Sequence, residues 1–371
     1  MLEKTKGFRD KIKNIDFTLI FLTIATAVFG IVMISSAGGV SSLRYVIVQS
    51  GALVIGAVGI VIISILDYDY LARLSKYIFV LCVALLVLVL IPGVGKVQNG
   101  ARSWFNFGPV SFQPAELVKV GFIITFSKHL SDVGSGLNQP KELWKVLLHP
   151  VVLCVLMLLQ PDFGTAMVFI MMAAAMLFVA KLNWKYFVGG LAAVAALCPF
   201  AWFFLLKQYQ RDRIITLFNP ESDPSGSGYH VIQSKIAVGS GKLTGMGLYN
   251  GSSRYNNLLP ERHTDFIYAV VCEELGMIGG VIVIALLAAI IIRCLYIGIH
   301  ARNSEGMYIC TGVAAMLTFQ VFENIGMCLG LFPVTGITLP FFSYGGSSLM
   351  TTMLAIGLVL NVRYRYKKIN F

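Results

Sequence analysis

The sequence places ionisable side chains inside or beside long apolar segments, where charges are rare. Asp265 follows the residues Leu-Pro-Glu-Arg-His-Thr and precedes an apolar segment, whereas Glu116 and Lys119 lie three residues apart within another. Because a charge at membrane depth is costly, such groups are the first candidates for functional residues. Asp265 is therefore a candidate base, fixed to a rigid helix at the outer mouth of a polar cavity.

Each of these acids also has a purely structural interpretation. Thr264 is placed to cap the helix, and a carboxylate in the first turn is stabilised as an anion by the helix dipole, which predicts a low pKa for Asp265. Glu116 precedes Lys119 in the favourable order for an ion pair. Such a pair is equally consistent with a structural role, in which it lets a weakly apolar helix insert into the membrane, and with a functional role, in which it faces a substrate cavity. Four further polar residues are interpreted as groups that join helices: Glu273, Glu274, Glu323 and Asn324.

The composition requires that these groups lie in a membrane protein. The chain of 371 residues is 57% hydrophobic and 13% charged, whereas soluble domains are about 25% charged. An ordinary soluble enzyme, a disordered chain and a disulfide-built secreted protein are thereby excluded. Ten apolar segments predict membrane-crossing helices: 16–36, 45–66, 72–91, 114–131, 143–159, 163–180, 185–206, 264–292, 304–329 and 344–361.

The predicted fold is all-α, with one transmembrane domain over residues 1–371. If the N-terminus is cytoplasmic, the inner segments carry eighteen Lys and Arg and the short outer loops carry three. The positive-inside rule then predicts that both termini are cytoplasmic. A large extracytoplasmic loop, about 207–263, separates seven crossings from three. The net charge of +11 indicates inner loops that meet anionic membrane lipids, and no nucleic-acid partner is expected.

Two outer segments, 92–116 and 207–264, carry too many turn residues and charges to be plain connectors. Tyr229, Ile232 and Ile236 recur at helical spacing, which predicts an amphipathic helix at the outer membrane interface; a plain tether is the alternative. No P-loop, HExxH or GxSxG motif occurs, so nucleotide-driven transport and zinc or serine hydrolysis are unsupported. Basic residues in these segments suit a phosphate or diphosphate, among them Lys96, Arg102, Arg254 and Arg262.

Five motifs, in order along the chain, resemble the signature of the SEDS family (shape, elongation, division and sporulation). They are residues 112–116 with Lys119, 160–165, 233–241, 259–267 followed by 273–276, and 339–347. The resemblance implies a bacterial peptidoglycan glycosyltransferase that polymerises lipid II, a disaccharide-pentapeptide on undecaprenyl pyrophosphate, at the outer face of the plasma membrane. It also implies partners, namely a class B penicillin-binding protein that crosslinks the strands and other proteins of elongation or division complexes.

The resemblance further implies roles for individual residues. Asp265 deprotonates the 4-hydroxyl of the acceptor sugar, which attacks the anomeric carbon of the donor and inverts it. Arg102, Lys119 and Arg254 are expected to stabilise the leaving pyrophosphate. A divalent cation, magnesium or manganese, is also considered, with Asp265 or Glu116 as its ligand. The other candidates for catalysis or substrate binding are Glu116, Lys96, Arg262, His263, Gln113 and Ser343.

Two alternatives to this function are retained. A lipid II flippase or transporter would line a crossing path with its membrane charges, although the strongest polar motifs cluster on the outer side and no inverted hydropathy repeat is found. A non-catalytic scaffold would only recruit the penicillin-binding protein, and this alternative leaves the buried acids unexplained.

Overall fold

The computed structural model describes residues 15–98, 101–107, 110–205, 208–223, 226–252 and 259–365. Its α-helices are α1 (Phe17–Ala37), α2 (Ser42–Ile65), α3 (Tyr68–Arg73), α4 (Ser75–Leu90), α5 (Pro114–Val133), α6 (Pro140–Leu159), α7 (Phe163–Val179), α8 (Trp184–Phe200), α9 (Gln208–Phe218), α10 (Ser227–Ser240), α11 (Ile267–Ile299), α12 (Ser304–Cys328) and α13 (Gly346–Tyr364). Short 3₁₀ turns occupy Gly39–Ser41, Gly134–Asn138 and Pro220–Ser222, and a π turn continues α8 over Ala201–Leu205.

Each of the ten predicted crossing segments overlaps one of the longer helices, although several helices extend beyond the predicted bounds. Among the described residues, seven helices are long and apolar enough to cross a membrane, namely α1, α2, α6, α8 with its π turn, α11, α12 and α13. Helices α4 and α7 are apolar but shorter, and α5 carries Glu116 and Lys119, which lower its hydropathy. The chain is therefore a helical multi-pass membrane protein.

Part of the segment between α4 and α5 is a small sheet, which corrects the all-α prediction. Strands β1 (Lys96–Gln98), β2 (Ala101–Phe107) and β3 (Val110–Phe112) form an antiparallel sheet in the order β1-β2-β3. Ser103 and Phe105 are buried while the intervening Trp104 is partly exposed, because alternate residues of a strand face opposite sides. The sheet leads directly into α5 and so helps to position its first turn.

Glycines allow α2 and α13 to pack closely. A side chain on Gly56 would collide with Met353, and one on Gly59 would collide with Leu354. From the other helix, the position of a Cβ on Gly357 lies 3.2 Å from the Cα of Ile60. Small residues let helix backbones approach in a membrane, where van der Waals packing drives association.

Within residues 207–264, helix α10 (Ser227–Ser240) corresponds to the predicted amphipathic helix, so this part of the segment is not a plain tether. Val231, Ser234 and Ala237 form the face buried against the protein, whereas Ile236 is exposed; the position of the helix at the membrane interface stays a prediction. The Ser234 hydroxyl donates to the Cys328 carbonyl at 2.8 Å. Packing against the end of α12 therefore determines which face of α10 is covered.

Helix α11 is interrupted at Gly276, where φ is 67° and ψ is −167°. The loop at 242–247 supplies the hydrogen bonds that the helix loses at this break. Four backbone bonds join the two segments: Met246 N to Glu273 O, Gly247 N to Glu274 O, Met277 N to Lys242 O and Ile278 N to Leu243 O. The loop at 242–247 is thus built into the helix that follows Asp265.

Replacing Gly276 with alanine is expected to lower the free energy of unfolding by about 2–4 kcal/mol, because this backbone region is almost exclusive to glycine and the new methyl group overpacks the site. The Cβ would lie 2.4 Å from the Gly245 nitrogen and from the Leu243 carbonyl oxygen. Thermal unfolding of the detergent-purified chain measures the effect. Gly189→Ala in α8, where a Cβ meets nothing within 4 Å, is the control; equal melting temperatures for the two variants would contradict the expectation.

Candidate active site

Asp265 lies in a tight turn immediately before α11. The backbone N–H groups of Thr264, Asp265 and Phe266 all donate to the Glu261 carbonyl, at 3.1, 3.1 and 3.2 Å. The prediction that Thr264 caps the helix is wrong: Phe266 occupies the N-cap position and provides no capping side chain. The Thr264 hydroxyl instead donates to the Glu261 side chain at 2.8 Å.

The segment before α13 fixes this turn. The Ser343 hydroxyl donates to the Thr264 carbonyl at 2.6 Å and accepts from the Leu339 N–H at 2.7 Å. The Tyr344 N–H donates to the His263 carbonyl at 2.8 Å. Ser343 was predicted to bind substrate, but its hydroxyl is used here to hold the backbone beside Asp265.

A buried glutamine on α2 braces that segment. The Gln49 amide donates to the Ser343 carbonyl at 3.2 Å and accepts from the Gly345 N–H at 3.1 Å. Gln49 has no exposed surface. The position of Asp265 therefore depends on α2 and α13 as well as on its own helix.

Two neighbours of Asp265 that were predicted to bind substrate already contact protein groups. The Arg262 guanidinium donates to the Ala37 carbonyl at 2.7 Å, at the end of α1. The His263 ring stacks on Tyr45, with centroids 4.5 Å apart and an interplanar angle of 10°, and it also contacts Tyr344. These contacts rigidify the turn, and a substrate contact for either residue stays a prediction.

The environment of Asp265 favours a basic carboxylate rather than the low-pKa anion expected of a helix terminus. Its pKa is raised to about 7, mainly by burial and in part by the Glu261 carboxylate, while the Arg213 guanidinium opposes the shift. Within the described residues its side-chain oxygens accept no hydrogen bond. A pKa near the working pH is what a general base requires.

We expect the Asp265 carboxyl of the metal-free protein to titrate near pH 7, since removal from water disfavours its charged form. Below that pH the group is protonated, and above it the group is ionised. Infrared difference spectra between the wild type and Asp265→Asn, recorded in EDTA, measure the carboxyl C=O stretch against pH. A midpoint near 4 would contradict the burial seen here.

Glu116 and Lys119 form the predicted ion pair at the start of α5. Both carboxylate oxygens of Glu116 lie 2.9 Å from Nζ of Lys119. Lys119 is only 2% exposed and Glu116 only 6%, so the pair is removed from water. Because both Glu116 oxygens face the lysine, this carboxylate is poorly placed as the metal ligand that the sequence suggested.

Asp162 joins this pair, and the sequence analysis missed it. The Gln113 amide donates to Asp162 Oδ2 at 3.2 Å, and Asp162 Oδ1 caps α7 by accepting from the Thr165 N–H at 3.0 Å. The charges of Lys119 and Glu116 act on Asp162. Asp162 stands between two apolar segments within residues 160–165, so the rule that singled out Asp265 could also have found it.

A short segment connects the two groups of acids. A Cβ on Gly164 would lie 2.9 Å from the Ile337 side chain and 3.2 Å from that of Thr335, and one on Gly336 would lie 3.5 Å from Asp265 Oδ2. The segment 335–337 therefore lies between the start of α7 and Asp265. The acids of both groups converge on one region of the fold.

Glu323 and Asn324 of α12 also reach this segment. The Thr335 hydroxyl donates to Glu323 Oε1, and the Asn324 amide donates to the carbonyls of Asp265 and Ile337, both at 2.8 Å. The interpretation that they join helices therefore holds in part. The contact of Glu323 and Asn324 with the Asp265 region was not predicted. It depends on residues 335–337, which follow α12 and return to pack against it.

The remaining predicted cations lie apart from these contacts or outside the described residues. Arg102 of β2 donates to the Leu90 carbonyl at 3.3 Å, and Lys96 of β1 is exposed. Arg254 lies outside the described residues. The sheet thus holds Arg102 at the end of α4, and a contact between these cations and a diphosphate stays a prediction.

Glu273 and Glu274 are buried two turns into α11. Each accepts a hydroxyl hydrogen bond at 2.5 Å, Glu273 from Ser252 and Glu274 from Ser36. Both side chains therefore tie α11 to other segments, as the helix-joining interpretation predicts. In the part of the chain that the structure describes, no group of three or more His, Cys, Asp or Glu side chains could hold a metal ion.

Comparison with known proteins shows to which family this multi-pass membrane protein belongs. Residues 17–368 match the family model of FtsW, RodA and SpoVE, described as cell cycle proteins. The chain is 36% identical over 366 residues to the peptidoglycan glycosyltransferase MrdB of Escherichia coli K12, covering 98% of this chain and 97% of the relative. It is 39% identical over 362 residues to stage V sporulation protein E of Bacillus subtilis, covering 95% and 98%.

Solved structures that resemble this fold belong to the same group of proteins as these relatives. The fold superposes with a TM-score of 0.82 and 33% identity on a chain described under "Structural coordination of polymerization and crosslinking by a peptidoglycan synthase complex", covering 95% of this chain and 99% of that one. The rod shape determining protein RodA of Thermus thermophilus gives a TM-score of 0.72 and 31% identity, covering 95% and 97%. The chain belongs to the FtsW/RodA/SpoVE family, which confirms the SEDS resemblance.

Proposed function

We propose that the chain is a peptidoglycan glycosyltransferase that polymerises lipid II into glycan strands for cell-wall synthesis. The relatives named as peptidoglycan glycosyltransferases support this function. The observation that carries it is Asp265, whose carboxyl has a pKa raised to about 7 and accepts no hydrogen bond from the described residues. A carboxylate that is held in a fixed turn, half-buried and without a hydrogen-bond donor among the described residues is suited to remove a proton from a hydroxyl.

In the proposed reaction, Asp265 takes the proton of the acceptor sugar 4-hydroxyl. The acceptor oxygen forms a bond to the anomeric carbon of the donor, the bond from that carbon to the lipid diphosphate breaks, and the configuration inverts. The turn that carries Asp265 is held by Ser343, so the base keeps its position as the proton moves. Pre-organised groups of this kind lower the barrier because they need little rearrangement during reaction.

The Glu116–Lys119 pair, with Gln113 and Asp162, is proposed to face the diphosphate end of the donor. Lys119 supplies a buried positive charge, which stabilises a leaving diphosphate more strongly than an exposed one does. Arg102 is a second proposed contact, since it lies on the sheet that precedes α5. Arg254 is a third, although it lies outside the described residues.

The proposed topology has ten crossings in one transmembrane domain, both termini in the cytoplasm and Asp265 on the extracytoplasmic side. The excess of Lys and Arg in the inner segments supports this orientation. The lipid tail of the substrate would then remain in the bilayer while its sugars reach the outer site. Anionic membrane lipids are the expected neighbours of the inner loops.

The proposed partner is a class B penicillin-binding protein, which would crosslink the strands, within a larger elongation or division complex. Support comes from the similarity to a chain described as part of a peptidoglycan synthase complex. Co-purification of the two proteins from membranes is the direct measurement. We expect a stable complex, and separation of the two in mild detergent would contradict this part of the proposal.

Incubation of the purified chain with lipid II and a divalent salt tests the function. We expect glycan strands on a gel from the wild type, alone or with the penicillin-binding protein added. Transbilayer movement of lipid II in vesicles without polymerisation would instead favour the flippase. Binding of the penicillin-binding protein as the only activity would favour the scaffold.

A further inference from the structure

Glu323 presents a buried carboxylate oxygen that has no donor. The residue is 5% exposed, and the Thr335 hydroxyl donates to Oε1. No donor among the described residues bonds Oε2. A buried acceptor without a partner is destabilising, and more so when it belongs to a charged group.

The adjacent Asn324 presents a second acceptor of this kind. Its amide nitrogen donates to two carbonyls, those of Asp265 and Ile337, so the orientation of the amide is determined by its partners. The oxygen Oδ1 is left over, and within the described residues nothing donates to it. Asn324 has no exposed surface, which also removes this oxygen from bulk water.

Asp265 provides the third acceptor. A Cβ on Gly336 would lie 3.5 Å from its Oδ2, so this carboxylate lies against the middle residue of the segment 335–337. Glu323 and Asn324 bond the two flanking residues, Thr335 and Ile337. All three side chains therefore reach the same short segment, and the Asp265 charge acts on Glu323.

A hard cation fits this set of groups better than any other ligand. Amide oxygens and carboxylates are ligands of divalent cations, and the atoms that these three side chains leave without a partner are all acceptor oxygens. One proton satisfies a single oxygen, whereas one divalent ion satisfies several and also offsets the repulsion between the two carboxylates. Among the described residues, neither carboxylate forms an ion pair.

We propose that Glu323, Asn324 and Asp265 hold one divalent metal ion, magnesium or manganese, beside the base. The site differs from the one suggested by the sequence because Glu323 takes the place of Glu116, whose oxygens face Lys119. The ion can be bound whether or not the protein is active. The role of the ion in the reaction, however, rests on the proposed function. There the ion would offset the negative charge of the diphosphate near Asp265.

Electron paramagnetic resonance of Mn²⁺ tests the site without reference to activity. The full chain is purified in detergent, stripped with EDTA and titrated with Mn²⁺, and the free Mn²⁺ signal is recorded. We expect about one bound ion per chain in the wild type, and affinity weakened at least about tenfold in Glu323→Gln and in Asp265→Asn. Circular dichroism checks that each variant keeps its helical content.

Glu305→Gln is the matched control, because Glu305 is a buried acid at the other end of α12 and is 7% exposed. It should bind Mn²⁺ as the wild type does. Equal binding by folded Glu323→Gln and the wild type, or no binding by the wild type, would overturn the inference. Lipid II polymerisation by the same preparations separates the two proposals: binding with no polymerisation contradicts only the function, and polymerisation with no bound ion contradicts only the metal site.

Discussion

Asp265→Asn is expected to slow lipid II polymerisation by about 10²- to 10⁴-fold, the usual contribution of a general base. The substitution keeps the size of the side chain but removes the oxygen that accepts the proton. Because the Asp265 side chain accepts no hydrogen bond from the described residues, the folded structure should tolerate the change. Initial rates of strand formation from purified lipid II measure the loss.

The matched control for this prediction is Asp132→Asn. Asp132 is an acid of α5 near its C-terminal end, and among the described residues its one ion pair is with Lys128 on the surface. This variant should polymerise lipid II at the wild-type rate. If Asp265→Asn were folded and as active as the wild type, both the base and the metal-ligand roles of Asp265 would be excluded.

Removal of one partner of the Glu116–Lys119 pair is expected to destabilise the fold by about 3–5 kcal/mol, because it leaves an uncompensated charge away from water. Lys119→Met leaves the Glu116 carboxylate buried, and Glu116→Gln leaves the ammonium group buried. Both changes should lower the temperature of thermal unfolding in detergent. A variant as stable as the wild type would show that water reaches the pair.

The double variant Glu116→Gln with Lys119→Met distinguishes a structural pair from a functional one. It removes both charges, so most of the lost stability should return. If the pair faces the donor diphosphate, as proposed, polymerisation stays low even though the fold is restored. Recovery of both stability and polymerisation would identify the pair as a device for inserting α5 into the membrane.

The helical framework was predictable because the length of an apolar segment is itself the signal for a crossing helix. Each of the ten predicted segments overlaps a helix, and even the weak fourth segment corresponds to α5 (Pro114–Val133). The sheet formed by β1, β2 and β3 was not found: β2 has seven residues, but the two strands that pair with it have only three each. Strands this short carry no recognisable alternation, and they are stabilised by pairing with each other.

The candidate site was predictable in its residue types but not in its environment. Asp265 was identified because an acid beside an apolar segment is unusual, whereas its pKa depends on burial by segments distant in sequence. The same limit applies to Glu323, whose relation to Asp265 arises from the return of residues 335–337 to the turn. Local rules, such as capping by Thr264, failed where tertiary contacts with Ser343 and Tyr344 determine the backbone.

The central claim is that the Asp265 turn faces the outer side of the membrane. Labelling of Thr264→Cys in intact cells with a membrane-impermeant thiol reagent measures this directly, with the native cysteines of the parent chain as background. Ser304→Cys, at an exposed position that begins α12, reports on the opposite side. The account predicts labelling of Thr264→Cys in intact cells and of Ser304→Cys only after permeabilisation; the reverse pattern would contradict it.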